Sequence, residues 1–231
     1  MSVVSEARRI AAAPAALDAN ALFPRGVAAL SGAVLETLDG LHAAERALVA
    51  RAVPKRQHEF ATGRRLAHQL LAELGSPDFA LLSDGDRAPI WPEGVIGSIS
   101  HSHGLCVVAA SKRGALGGLG IDVEEADAVR PELWRRVLSK EEERWLRAQP
   151  AAQQLRLAAV FFSAKEASYK AQFPQTRARL GFHDVALELD LASSVFHARV
   201  PGFPRPLAGA FAIHEPWVLT GLALAAGDVR A

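Results

Sequence analysis

A chain of 231 residues, half of them hydrophobic and with 18 Gly and 13 Pro, has the apolar content for a packed core of one or two domains and lies far from disordered or collagen-like compositions. Its 26 basic and 25 acidic side chains leave a formal charge of +1, which excludes a global attraction to nucleic acid or anionic lipid and confines any anion site to a local cluster. A lone cysteine, Cys106, excludes an internal disulfide and, within Leu105-Cys106-Val107-Val108, reads as a small hydrophobe.

In chain order, residues 1–16 carry Arg8 and Arg9 before an alanine-rich stretch, the outline of a signal peptide, but Pro14 and Asp18 interrupt its apolar run. No stretch approaches the ~18 apolar residues of a membrane span, so the expectation is a soluble, cytoplasmic protein. Between residues 40 and 75, Leu41, Ala44, Leu48, Phe60, Leu66, Leu70 and Leu71 recur at helical spacing, with Pro54 placed to begin a second helix and Gly75 to stop it. Ser83-Asp84-Gly85-Asp86 with Pro89 and Pro92 reads as a loop, and Ser98 to Ser102 as a serine-rich turn. Residues 104–111 and 118–124 are apolar runs around Lys112-Arg113-Gly114, the pattern of a β-hairpin. Pro131 suits a first helical position, Ser139-x-x-Glu142 forms a capping box, and residues 155–173 read as a long helix ended near Pro174. Four short strands follow, at 185–189, 195–200, 208–214 and 218–225. Helices and antiparallel strands without a regular βαβ rhythm favour an α+β fold, divided at the glycine-rich punctuation into residues 1–115 and 116–231.

Asp122-Val123-Glu124 ends an apolar strand, so the two carboxylates share one face and Ile121 and Val123 take the other. Paired oxygen donors suit magnesium, which takes one or two protein carboxylates and completes its octahedron with water and phosphate; manganese accepts the same ligands. On the long helix, Glu166 and Lys170 lie one turn apart with Lys165 beside them, flanked by apolar Val160, Phe161, Phe162 and Ala164. The hydroxyls and imidazole of Ser98-Ile99-Ser100-His101-Ser102 can hold phosphate oxygens, and Arg56 and Arg64, just over two helical turns apart, project from a similar side. Each feature alone is equally a solvated strand end, a surface ion pair, a turn or exposed arginines.

Taken in order, Gly97-Ser98-Ile99-Ser100-His101, Gly120-Ile121-Asp122-Val123-Glu124 and Phe162-Ser163-Ala164-Lys165-Glu166-Ala167-Ser168-Tyr169-Lys170-Ala171 resemble the 4'-phosphopantetheinyl transferase superfamily. With Pro89-Ile90-Trp91-Pro92 and Leu180-Gly181-Phe182, the likeness is to the branch of the enterobactin synthase activating enzyme and its actinobacterial relatives. The resemblance implies two similar halves paired as an intramolecular pseudodimer with coenzyme A in the cleft between them, which makes a monomer the simpler expectation. It implies a metal site of Asp122, Glu124 and Glu166 with the Val123 carbonyl, phosphate contacts from Lys165, Lys170, Ser100 and His101, and the coenzyme A 3'-phosphate on Arg56 and Arg64. Relatives tend to place lysines before the Pro-x-Trp-Pro segment; here Arg87 is the one cation in Ser83-Asp84-Gly85-Asp86-Arg87, carried over as a phosphate or adenine contact.

The activity so implied is holo-[acyl-carrier-protein] synthase chemistry: Mg²⁺-dependent transfer of phosphopantetheine from coenzyme A to a serine of an acyl, peptidyl or aryl carrier protein, with Glu166 as general base and Lys170 beside it. Arg135, Arg136 and Arg144 are candidate contacts for an acidic carrier helix. Two rivals use the same residues: a non-catalytic coenzyme A or carrier-binding protein, and a metal-dependent phosphoesterase that directs water instead of a serine.

Overall fold

The computed structural model describes residues 17–228; the interrupted apolar start at 1–16 lies outside them. In chain order the elements are β1 (Ala28–Ala33), α1 (Ala43–Val49), α2 (Pro54–Glu73), β2 (Val95–Ser102), β3 (Leu105–Lys112), β4 (Leu116–Glu125), α3 (Trp134–Val137), α4 (Lys140–Arg147), α5 (Ala151–Thr176), β5 (Ala186–Asp190), β6 (Val195–Arg199), β7 (Leu207–His214) and β8 (Trp217–Ala225). Two antiparallel sheets result, ordered β1-β3-β2 and β4-β8-β7-β6-β5, so the α+β class holds. The local signals work as the letters suggest: Pro54 stands in the first turn of α2, Gly75 takes a positive φ just beyond its end, and Ser139 and Glu142 form the capping box of α4.

Three apolar clusters assemble these parts. Ala67 and Leu70 of α2 pack on Val108 and Ala110 of β3, while Val160, Phe161 and Ala164 of α5 pack with Phe196, Leu222 and Leu224 of the larger sheet. The third cluster joins the sheets, with Leu105, Val107 and Ala109 of β3 against Leu119, Ile121 and Val123 of β4. Strand β3 is therefore buried on both faces, which is why residues 105–110 are apolar without alternation.

Three expectations change. Residues 104–111 and 118–124 do not form a hairpin: β3 has both edges occupied, by β1 and by β2, and β4 pairs with β8 in the other sheet. The serine-rich segment is the strand β2, joined to β3 by a tight turn at His103 and Gly104, both at positive φ. Helix α5 runs through Pro174 to Thr176 and ends at Arg177 in the left-handed region; a proline in the last turn forfeits a single donor and does not stop the helix. No helix among the described residues is long and apolar enough to cross a membrane.

Helix α5 lies unusually close on β4. A Cβ built at Gly120 would fall 1.8 Å from the Ala167 carbonyl oxygen, and one at Gly118 2.4 Å from that of Ala171. The obstacle is helix backbone, which cannot rotate away, so Gly120→Ala is expected to destabilise the fold by about 3 kcal/mol or more, read as a shift in the urea midpoint. An unshifted midpoint would show that α5 can stand off from β4.

Candidate active site

The two sheets meet where β2 runs alongside β4, and period-two alternation on both strands puts three serines opposite the acidic end of β4. The Ile121 amide donates to Ser98 Oγ at 3.1 Å, Ser100 Oγ donates to Asp122 Oδ1 at 2.7 Å, and Ser102 Oγ donates to Glu124 Oε2 at 3.0 Å. Ile121 and Val123 face the core, as the alternation predicts, so of Val123 only backbone faces the site.

From α5, held close by Gly118 and Gly120, Lys170 Nζ reaches Asp122 Oδ1 at 2.7 Å, Ser100 Oγ at 2.9 Å and the Ile121 carbonyl at 3.4 Å. Asp122 is only 2% exposed, and its second oxygen, Oδ2, is buried with no hydrogen-bond partner among the described residues. Such an orphaned carboxylate oxygen is costly unless a cation or a donor completes it. Burial, then the charge of Asp122, pushes the Glu124 carboxyl up from 4.5 to about 7, against the Ser102 hydrogen bond and Lys170. Glu166 is also raised by burial, with Lys170 opposing and Asp122 adding to the rise. Three carboxylates, two held above their ordinary range by burial and by the Asp122 charge, fit a hard divalent cation.

Glu166 and Lys170 open onto a cleft of about 780 Å³, whose other walls include Arg87, Trp91, Arg113 and Phe173. The ring of Trp91 lies across Gly97, where a Cβ would come within 2.4 Å of it.

Other expected residues are placed differently. Ser100 and His101 do not act together, because adjacent residues of β2 point to opposite faces: His101 turns to α2, where its ring meets Arg56 Nη1 and its Nδ1 lies 3.3 Å from Glu59 Oε2. Burial holds His101 below the ordinary histidine range, opposed by Glu59 and supported by Arg56 and Lys170. Arg64 is buried, stacks on Phe60, and donates to the Leu81 carbonyl (2.7 Å) and Ser83 Oγ (3.1 Å). Burial lowers it to about 10, with Glu45 pulling upward. Lys165 corrects the expectation most: in place of a phosphate contact, its ammonium is enclosed by Glu142 Oε2 (2.7 Å) and the carbonyls of Val137 (2.9 Å) and Phe182 (2.8 Å).

Sequence reasoning did not single out Glu45, Glu59 or His68. Glu45 is fully buried and accepts from the His42 amide (2.9 Å), the Leu81 amide (2.8 Å) and His68 Nε2 (2.8 Å). The donor atoms of His42, Glu45 and His68 lie within 4.8 Å of one another, but with both Glu45 oxygens engaged the cluster serves to fix the Leu81 backbone that Arg64 grips. Its one sequence signal was a glutamate at the third position of a helix, without the usual Ser or Thr cap.

Comparison with known proteins gives the family of the chain. Residues 44–111 match the model of the 4'-phosphopantetheinyl transferase N-terminal domain and residues 118–218 that of the 4'-phosphopantetheinyl transferase superfamily. The chain is 37% identical to the 4'-phosphopantetheinyl transferase Svp of Streptomyces mobaraensis, over 79% of this chain and 78% of that protein. It is 33% identical to the 4'-phosphopantetheinyl transferase Npt of Nocardia iowensis, over 88% of this chain and 98% of that protein. Enterobactin synthase component D of Salmonella typhimurium is 31% identical over 67% of this chain and 64% of its own length.

Proposed function

The chain belongs to the 4'-phosphopantetheinyl transferase superfamily, and from that premise we propose that it moves the phosphopantetheine arm of coenzyme A onto the serine of an apo acyl, peptidyl or aryl carrier domain. The observation that carries the site assignment is the buried Asp122 Oδ2, without a partner among the described residues, beside Lys170, which itself lines a cleft large enough for a nucleotide.

Asp122, Glu124 and Glu166 would hold Mg²⁺, with Mn²⁺ able to use the same oxygens. Bound there, the cation supplies Lewis-acid neutralisation of the pyrophosphate charge. The remaining steps belong to side chains. Lys170, one quarter exposed and fixed by Asp122, Ser100 and the Ile121 carbonyl, offers its ammonium to the pyrophosphate oxygens. Glu166, its proton affinity raised by burial, accepts the carrier serine's proton as the serine oxygen bonds to the β-phosphorus. The bridging P–O bond breaks and adenosine 3',5'-bisphosphate leaves. Arg56 and His101, paired on the N-terminal half, are assigned to the 3'-phosphate; Arg64 shapes that region from behind through Leu81 and Ser83. Lys165 is assigned to holding α4 against α5. On this reading the halves divided near residue 115 act as a pseudodimer around coenzyme A, in a monomeric cytoplasmic enzyme.

The test is intact-mass spectrometry of apo carrier proteins incubated with the chain, coenzyme A and Mg²⁺. A phosphopantetheine adduct on the carrier, lost with a chelator, is the expected result. Coenzyme A cleaved without any carrier would instead favour the phosphoesterase, and coenzyme A bound without turnover the binding protein.

The site also sets a pH dependence. With Glu124 at about 7, cation uptake below that pH displaces a proton, so the Mg²⁺ affinity measured by calorimetry should fall about tenfold per pH unit on acidification. The folded value lies above the unfolded one, so the metal-free chain loses stability as pH rises from 4.5 to about 7. An Mg²⁺ affinity that is flat between about pH 6 and 8 would count against Glu124 as a ligand.

A further inference from the structure

The loop at residues 83–89 and the end of α5 meet across one end of the cleft. Asp84 divides its two oxygens between them. Its Oδ1 folds the loop by accepting from the Asp86 and Ala88 amides, both at 2.9 Å, and its Oδ2 accepts from Arg177 Nη1 at 2.7 Å. Asp86 pairs with Arg179 and lies 4.0 Å from Arg177. The hydrogen bond from Arg177 holds the Asp84 carboxyl below its ordinary range. Arg177 is the left-handed residue that ends α5, and its guanidinium stands 5.5 Å from the Phe173 ring in the cleft wall. On its inner side the same loop is tied by Ser83 to buried Arg64.

We propose that Asp84, Asp86, Arg177 and Arg179 form an ion bridge that positions the two cleft walls, fixing Arg87 and closing one end of the cleft around coenzyme A. Exposed ion pairs add little to global stability, so a bridge of this kind is not needed to hold the fold. These pairs, however, join residues 93 apart in sequence on opposing walls, and Arg87, at a positive φ directly after Asp86 and itself lining the cleft, depends on the loop they hold. Fixing both walls before binding removes an ordering cost that a loose loop would charge against the ligand. The bridge also accounts for the acidic loop: Asp84 and Asp86 face two arginines of the other half. The proposal rests on the transferase reading only for the identity of the ligand.

The measurement is the dissociation constant for coenzyme A by calorimetry, which needs neither carrier nor turnover. Asp86→Arg and Arg179→Asp alone should each weaken binding about tenfold, and the two together, with the charges exchanged, should recover to within about threefold of the parent. Arg177→Glu, repelled by Asp84, gives an independent reading should an Asp86 variant fail to fold, and thermal melting followed by circular dichroism checks each fold. Single variants that bind as tightly as the parent, or an exchanged pair no better than the worse single, would overturn the bridge. A parent chain that binds coenzyme A but modifies no carrier would sink the transferase reading and leave this comparison intact; a parent that does not bind coenzyme A overturns both.

Discussion

Glu166→Ala is expected to lower phosphopantetheine transfer at saturating coenzyme A by about a thousandfold or more, with coenzyme A affinity changed only a few-fold. The side chain opens onto the cleft, its carboxyl is raised by burial, and Lys170 lies one helical turn along the same face. Removing it deletes both the proposed proton acceptor and one cation ligand, interactions that matter most as charge builds at the phosphorus. Arg64→Ala should differ in kind. Arg64 grips the Leu81 carbonyl and Ser83 behind the cleft, remote from the reacting atoms, so its loss should raise the coenzyme A requirement while turnover at saturation largely survives. It should also cost about 1–3 kcal/mol of stability by leaving the Leu81 carbonyl unsatisfied. Intact-mass kinetics at several coenzyme A concentrations separate the two; equal losses of saturated turnover would refute the division of roles.

Lys165→Met should destabilise the fold by about 3–5 kcal/mol. The ammonium is buried with Glu142, and Glu142 is itself a junction: Oε2 also accepts from the Ser139 amide at 2.7 Å, and Oε1 from the Leu187 amide at 2.8 Å. One pair thus ties the start of α4, the middle of α5 and the strand β5. Removing the lysine alone strands a buried carboxylate, whereas Lys165→Met with Glu142→Gln, which removes that charge and keeps an acceptor for one of the two amides, should recover part of the loss. Chemical denaturation reads this directly. If Lys165 served phosphate instead, the methionine variant would keep its urea midpoint and lose transfer, the opposite pattern.

Much of the site was legible from residue order because its chemistry is local. Asp122 and Glu124 share a face by strand alternation, and Glu166 and Lys170 share one by helical period; both placements hold in the structure. The same periodicity, applied to β2, would have separated Ser100 from His101, but Ser98 to Ser102 read as a turn because polar hydroxyls mask a strand whose partners are not yet known. The hairpin expected around residues 112–114 failed for a related reason. Two apolar runs separated by a short polar stretch look alike whether they pair with each other or, as β3 and β4 do, with β2 and β8.

By itself the amino-acid sequence determined the family, the α+β class, the helix starts and stops and the acidic pair on one strand face, since each depends on neighbours a few residues apart. Tertiary structure alone decided that Lys165 turns inward to Glu142, that Asp122 keeps an oxygen without a partner among the described residues, and that the 83–89 loop is tied to Arg177 and Arg179. The reason is the range of the forces: burial, desolvation and ion pairing are set by groups distant along the chain, which the letters list but do not bring together.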